Sequence, residues 1–161
     1  MTPLSDAELA AQPAAYWTGV AYESLIAFTR ARQAELGFTQ PQFWLLRNLS
    51  ADDLSPDGRP MSVSELRQTM SSYLRREDDL EAEAAAAVRR GWLTRDGEGR
   101  LRITEAGDAA RAGLGRHAPA IRARIHEGIA DEDYVTALKV LRQMIRNTAG
   151  GGVPGAAAAG R

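Results

Sequence analysis

Cysteine is absent from the 161 residues, which excludes a disulfide framework, a thiol redox sensor and a thiolate metal site. Lysine is nearly absent too: Lys139 stands alone among 20 basic residues, and the rest are arginines. No stretch approaches the roughly 18 consecutive apolar residues of a membrane span. The opening MTPLSDAELAAQP has neither the basic nor the apolar region of a signal peptide. A cytoplasmic protein with no membrane partner is therefore expected. A basic excess is missing as well: the net charge is −1, and residues 61–104 carry eight arginines against eight acids. Nucleic-acid binders usually show a basic stripe, and here only local clusters can supply one. No P-loop, GxGxxG, GxSxG or HExxH is found, so no catalytic residue and no cofactor is expected.

What is present is an ordinary share of apolar residues, 44%, enough for one core. After a short turn region that stops at Pro13, residues 14–36 read as a helix. Trp17, Val20, Ala21, Ser24 and Phe28 share one face, and Tyr16, Leu25 and Ile26 widen it. Gly37 ends it. Thr39-Gln40-Pro41-Gln42 fits an N-cap with Gln at N3, flanked by Phe38 and Phe43 as a staple. That helix runs to about Leu49 and draws its buried residues from Phe43, Trp44, Leu46 and Leu49. Residues 50–60 are a loop by composition.

Ser62-Val63-Ser64-Glu65 is a second capping box, opening a short helix with Val63, Leu66 and Met70 inward. In SSYLRREDDLEAEAAAAVRRGW (71–92), Asp78 or Asp79 is a good N-cap, and Leu80, Ala84, Ala87 and Val88 form a narrow face before Gly91. Alanine on that face predicts close approach to its neighbours. Residues 93–103 read as a hairpin around Asp96-Gly97-Glu98-Gly99, with Leu101 and Ile103 alternating with Arg100 and Arg102. Thr104 caps a long helix with Leu114, Ala118, Ile121, Ile125 and Ile129 as its stripe, bent at Pro119. Asp131 caps a last helix with Tyr134, Leu138, Leu141 and Ile145 on one face. The low-complexity tail, 148–161, is expected to be disordered.

A short helix, a helix ending in Gly and then a two-stranded hairpin make a winged helix-turn-helix, so the fold class is mainly α with a small β wing. At Phe38-Thr39-Gln40-Pro41-Gln42-Phe43, Ser62-Val63-Ser64-Glu65-Leu66, Arg90-Gly91-Trp92-Leu93 and Ile103-Thr104-Glu105-Ala106-Gly107 the sequence resembles the MarR family of transcription regulators. The matches occur in order and span about residues 14–147. The resemblance implies one domain over 1–147, with a winged helix at about 38–104 and dimerisation helices at about 14–36 and 105–147. It also implies a homodimer that binds a double-stranded DNA operator, a repressor whose binding is modulated by a small-molecule effector. The chain departs from the family in two places. The turn before the recognition helix is lengthened, and that helix holds Asp78, Asp79, Glu81 and Ala82 where relatives carry polar and basic residues. The wing is shortened, with Asp96 and Arg100 in place of an Asp-x-Arg tip.

The acids Glu77, Asp78, Asp79, Glu81 and Glu83 suit capping and the helix dipole, but beside phosphates they repel. The burden of DNA contact then falls on Arg75 and Arg76, which reach guanine edges or phosphates unless Glu77, Asp78 and Asp79 pair with them, and on Arg95, Arg100 and Arg102 of the wing. Arg89 and Arg90 suit the helix C-terminus. Trp17, Tyr22, Trp44 and Tyr73 are candidates to line an effector pocket, with core packing the competing role for the two tryptophans. His117 and His126 have no thiols or acidic partner at ligand spacing, so no metal site is expected. The alternative function is a winged-helix dimer that has lost DNA binding and serves as a protein-interaction or ligand-binding module.

Overall fold

The computed structural model describes residues 4–149. The expected tail from residue 150 onward lies outside the described residues. The fold divides at Gln40/Pro41 into two units. The N-terminal unit holds two helices, α1 (Asp6–Ala10) and α2 (Ala14–Glu35). The first of them stands where a short turn region was expected. It forms because Ser5 and Glu8 close a reciprocal capping box. Helix α2 has the expected extent, and Gly37 follows it at φ +82°. Much of its apolar face is open: Tyr16, Trp17, Val20, Tyr22 and Leu25 are 43–59% exposed.

The second unit carries α3 (Gln40–Leu49, beginning one residue before the division), α4 (Val63–Thr69), α5 (Leu80–Arg89), β1 (Leu93–Arg95), β2 (Leu101–Ile103), α6 (Glu105–Gly115), α7 (Ala118–Ile125) and α8 (Asp131–Thr148). Its core is one cluster: Leu45, Leu46 and Leu49 of α3, Met61, Leu66 and Met70 around α4, Leu80, Ala84 and Ala87 of α5, and Leu93 and Leu101 of the hairpin. Each buried leucine contributes about 2 kcal/mol on transfer from water. Ala84 and Ala87 are fully buried, so α5 meets its neighbours at alanine distance, as the small side chains predict. The hairpin pairs Leu93 with Ile103, Thr94 with Arg102 and Arg95 with Leu101. Met61 adds a rung on the other edge of β2 by exchanging backbone hydrogen bonds with Leu101 at 3.0 and 2.7 Å. The end of the loop predicted at 50–60 thus leads directly into sheet pairing.

Capping chemistry places the ends of these elements. The Ser62 hydroxyl accepts from the Glu65 amide at 3.1 Å, and the Glu65 carboxylate accepts from the Ser62 amide at 2.8 Å. Asp79, one of the two candidates, caps α5 by accepting from the Ala82 amide at 3.0 Å. Gly91 takes φ +74° and turns the chain into the hairpin. At the far end of the hairpin, Thr104 accepts from the Gly107 amide at 2.9 Å and donates to the Gly91 carbonyl at 2.6 Å. Gly107 is indispensable there: a Cβ on it would lie 2.0 Å from the Trp92 carbonyl oxygen.

Three expectations change downstream. The single bent helix after Thr104 is two helices, because Pro119 has no amide to donate toward Gly115 and its ring crowds that carbonyl. The stripe from Leu114 to Ile129 is therefore divided between α6, α7 and the turn beyond them. Asp131 is the first residue of α8 rather than its cap, which is Ala130. Asp131, Glu132 and Asp133 instead place carboxylates against the positive end of the helix dipole. Finally, α8 includes Thr148, the first residue of the expected tail.

A polar network ties α3, the following loop and α6. Arg47 grips Asp53 through two 2.9 Å bonds, Arg111 bridges Asp53 at 3.3 Å and Asp108 at 2.8 Å, and Ser50 donates to Asp108 at 2.5 Å. Hydrogen bonds from Arg111, then Ser50, hold the Asp108 carboxyl below its ordinary value of 3.8.

Two stability predictions follow from these contacts. Gly107→Ala must push α6 off the Trp92 carbonyl and should destabilise the fold by about 3 kcal/mol, read as a lower urea midpoint at an unchanged slope. Asp108, whose carboxyl titrates lower in the folded chain, contributes stability that is complete above its unfolded value and is lost as pH falls through the folded one. Asp108→Asn should therefore be less stable than the wild type at pH 7 by about 1–2 kcal/mol. The gap should close as urea titrations are taken below pH 3.8.

Candidate nucleic-acid interface

The segment that a winged helix offers to DNA comprises α5, the turn before it and the β1–β2 hairpin. The turn, residues 70–79, keeps Met70 buried and packs Tyr73 and Leu74 against the core. Arg75 and Arg76 therefore emerge immediately before α5. The Arg75 amide donates to the Asp78 carboxylate at 2.8 Å, and its guanidinium donates to Glu77 at 2.5 Å. That contact, above all other causes, lowers the Glu77 pKa. Arg76 is exposed and forms no ion pair among the described residues.

The hairpin divides its arginines by face. Arg95 lies on the same side as buried Leu93 and Leu101, so its side chain turns back toward α5. There it pairs with Glu81 at 2.6 Å and donates to the Gly99 carbonyl at 3.4 Å. Arg102 lies on the opposite side with Thr94, exposed and without an ion pair among the described residues. Arg100 stands beyond the strand end, bound to Asp96 at 3.0 Å and Glu98 at 2.5 Å. Asp96 organises the tip by accepting from the amides of Glu98 and Arg100 at 3.0 and 2.8 Å. The Arg100 amide is the largest influence lowering its pKa. Of the five candidate arginines, then, Arg75, Arg95 and Arg100 are bound to the protein's own carboxylates, and Arg76 and Arg102 point outward.

The other acid of α5, Glu83, also has a partner inside the protein. Buried Gln42 of α3 donates to Glu83 at 2.9 Å and accepts from Arg90 at 3.3 Å, and the Arg90 guanidinium lies 3.7 Å from the centre of the Trp92 ring. Arg90 thus braces the end of α5 against α3 and Trp92, a wider role than the dipole contact expected of it. These cross-element pairs were missed in the sequence because their partners lie far apart along the chain. Only the excess of acids beside arginines signalled that pairing would occur.

The four aromatic candidates separate. Trp44 and Tyr73 stack with ring centres 4.3 Å apart, and the Tyr73 hydroxyl accepts from the Asn48 amide at 3.1 Å. The Trp44 indole N–H is buried and unpartnered among the described residues. Trp17 and Tyr22 belong to the N-terminal unit, and both are exposed on α2. Five positions apart on a helix, they face directions about 140° apart. His117 and His126 join no cluster that could hold a metal ion among the described residues. No helix among those residues is long and apolar enough to cross a membrane.

No protein-family profile matches the sequence, and no curated protein does. Solved structures do match. A MarR family protein of Mycobacterium tuberculosis is 20% identical, with 82% of this chain and 93% of that one covered at a TM-score of 0.65. Wild-type MarR from E. coli in its apo form is 17% identical over 83% and 97% of the two chains, at 0.63. A MarR family regulator from Silicibacter pomeroyi is 22% identical over 83% and 88%, at 0.52. Together with the helix, helix, hairpin order of residues 63–103, these likenesses give the chain the MarR-family winged-helix fold.

Proposed function

We propose that the chain is a dimeric DNA-binding transcription regulator, a repressor whose operator binding a small molecule modulates. The observation that carries this reading is the winged-helix arrangement itself: α5 and the hairpin share one buried core, and Arg76 and Arg102 beside them have no ion pair among the described residues. In this reading α5 approaches the major groove and the hairpin lies along the backbone, with Arg76 and Arg102 making the first phosphate or base contacts. Arg75, Arg95 and Arg100 follow once they exchange a carboxylate for a phosphate.

Dimerisation is supported by uncovered apolar surface. On α8, Val135, Leu138, Val140, Met144 and Ile145 are 42–51% exposed, and α2 has its own exposed set. Covering such faces by a second copy is how an obligate dimer gains its stability. The effector is supported by the Trp44–Tyr73 stack with its unpartnered indole N–H, a donor that an acceptor on a small molecule would satisfy.

A second reading has its own observation. Three of the five arginines are already neutralised by local acids, which fits a winged-helix dimer that has given up DNA for a protein partner or ligand.

Fluorescence anisotropy on duplexes from the region upstream of its own gene separates the two readings. A regulator should bind one duplex selectively, with affinity falling steeply as salt rises. Arg76→Ala and Arg102→Ala should each lower the salt slope by about 0.9 if the residue meets a phosphate. Weak binding that favours no duplex would establish the interaction module instead. In sedimentation equilibrium the wild type should run at twice the 17.4 kDa chain mass. Leu138→Glu should shift it to the monomer, and a wild-type monomer would remove the dimer from this reading.

A further inference from the structure

The ion pair between Glu81 and Arg95 joins two elements that a winged helix presents to DNA separately. Glu81 is the second residue of α5, and Arg95 ends β1. The hairpin register turns Arg95 to the inner face with Leu93 and Leu101, and its guanidinium meets Glu81 at 2.6 Å. A second bond, to the Gly99 carbonyl at 3.4 Å, keeps it folded over the hairpin loop. Both side chains keep access to water, Arg95 at 33% and Glu81 at 58%. A pair this open is weak, so a phosphate can displace the carboxylate. Carboxylate and phosphate compete for the same planar guanidinium, since both accept its paired N–H groups.

On the reading that α5 and the hairpin meet DNA, we propose that Glu81 is a built-in competitor of the DNA phosphate for the guanidinium of Arg95. It is a positioning residue, which holds the Arg95 side chain against α5 in the free protein and sets how tightly and how salt-dependently the wing engages the backbone. While Arg95 rests on Glu81 it displaces few of the counterions condensed on the DNA. Once Glu81 is neutral, Arg95 adds a full phosphate contact and its share of counterion release. A plain repulsion between Glu81 and DNA differs in one respect, because it would act whether or not Arg95 is present.

The test is a double-mutant cycle in the full chain: wild type, Glu81→Gln, Arg95→Ala and both together. Each is titrated against the same duplex by fluorescence anisotropy over a range of salt. Glu81→Gln should tighten binding about two- to fivefold and steepen the plot of log affinity against log salt by about 0.9. In the Arg95→Ala background the same change should do neither. An equal gain in both backgrounds would mean that Glu81 only repels DNA, and the competitor role would be wrong while DNA binding stood. An absence of any gain would also overturn it. Failure of all four proteins to bind any duplex would remove the competitor together with the DNA-binding reading.

Discussion

The approach of α6 to the Trp92 carbonyl is the contact on which the position of the wing depends. Gly107 lets the helix come so near that any side chain would collide with that oxygen, and Thr104 closes the same corner through hydrogen bonds to Gly91, Trp92 and Gly107. The hairpin begins and ends at this corner. Its strands are three residues each, and a two-stranded ribbon of that length has no stability of its own. It is held by Leu93 and Leu101 in the core, by the Met61 rung and by the start of α6. Moving α6 would move the wing, and with it Arg95, Arg100 and Arg102.

Charge on the candidate interface is largely satisfied within the protein. Glu77 holds Arg75, Glu81 holds Arg95, and Asp96 with Glu98 holds Arg100. Exposed pairs of this kind add little to stability, so their main consequence is for what the surface attracts. A surface whose cations are already neutralised draws phosphate weakly, and of the five candidate arginines only Arg76 and Arg102 lack an ion pair among the described residues. The acids of α5 divide between two tasks. Asp79 caps the helix, while Glu81 and Glu83 reach out to the wing and to Gln42. Capping alone, the simpler account of an acidic helix start, covers only part of the cluster.

Much of the fold was legible in the sequence because it is written in local signals. The Ser62–Glu65 box, the Asp79 cap, the Leu80–Ala84–Ala87 face, Gly91 and the Asp96–Gly99 loop each act within a few residues, and each stands where its signal predicted. The misreadings are also local in origin. Ser5 and Glu8 form a capping box that the short segment before Pro13 concealed, and Pro119 interrupts a helix where a bend was expected. At the candidate interface, the sequence singled out arginines and acids, but it could not assign their partners. Arg95 is 14 residues from Glu81, and Gln42 is 41 from Glu83. Such pairs depend on which helix faces are brought together by core packing.

By itself the sequence determined most of the elements, their order and the absence of thiol chemistry, since propensity, capping and the absence of cysteine need no tertiary context. Only the tertiary structure decided which cations are free. The pleat of the hairpin sends Arg95 inward and Arg102 outward, and the packing of α5 on its alanine face sets Glu81 within reach of Arg95. Alternation along a strand can be read from residues, but which side of it meets a helix is fixed by the core.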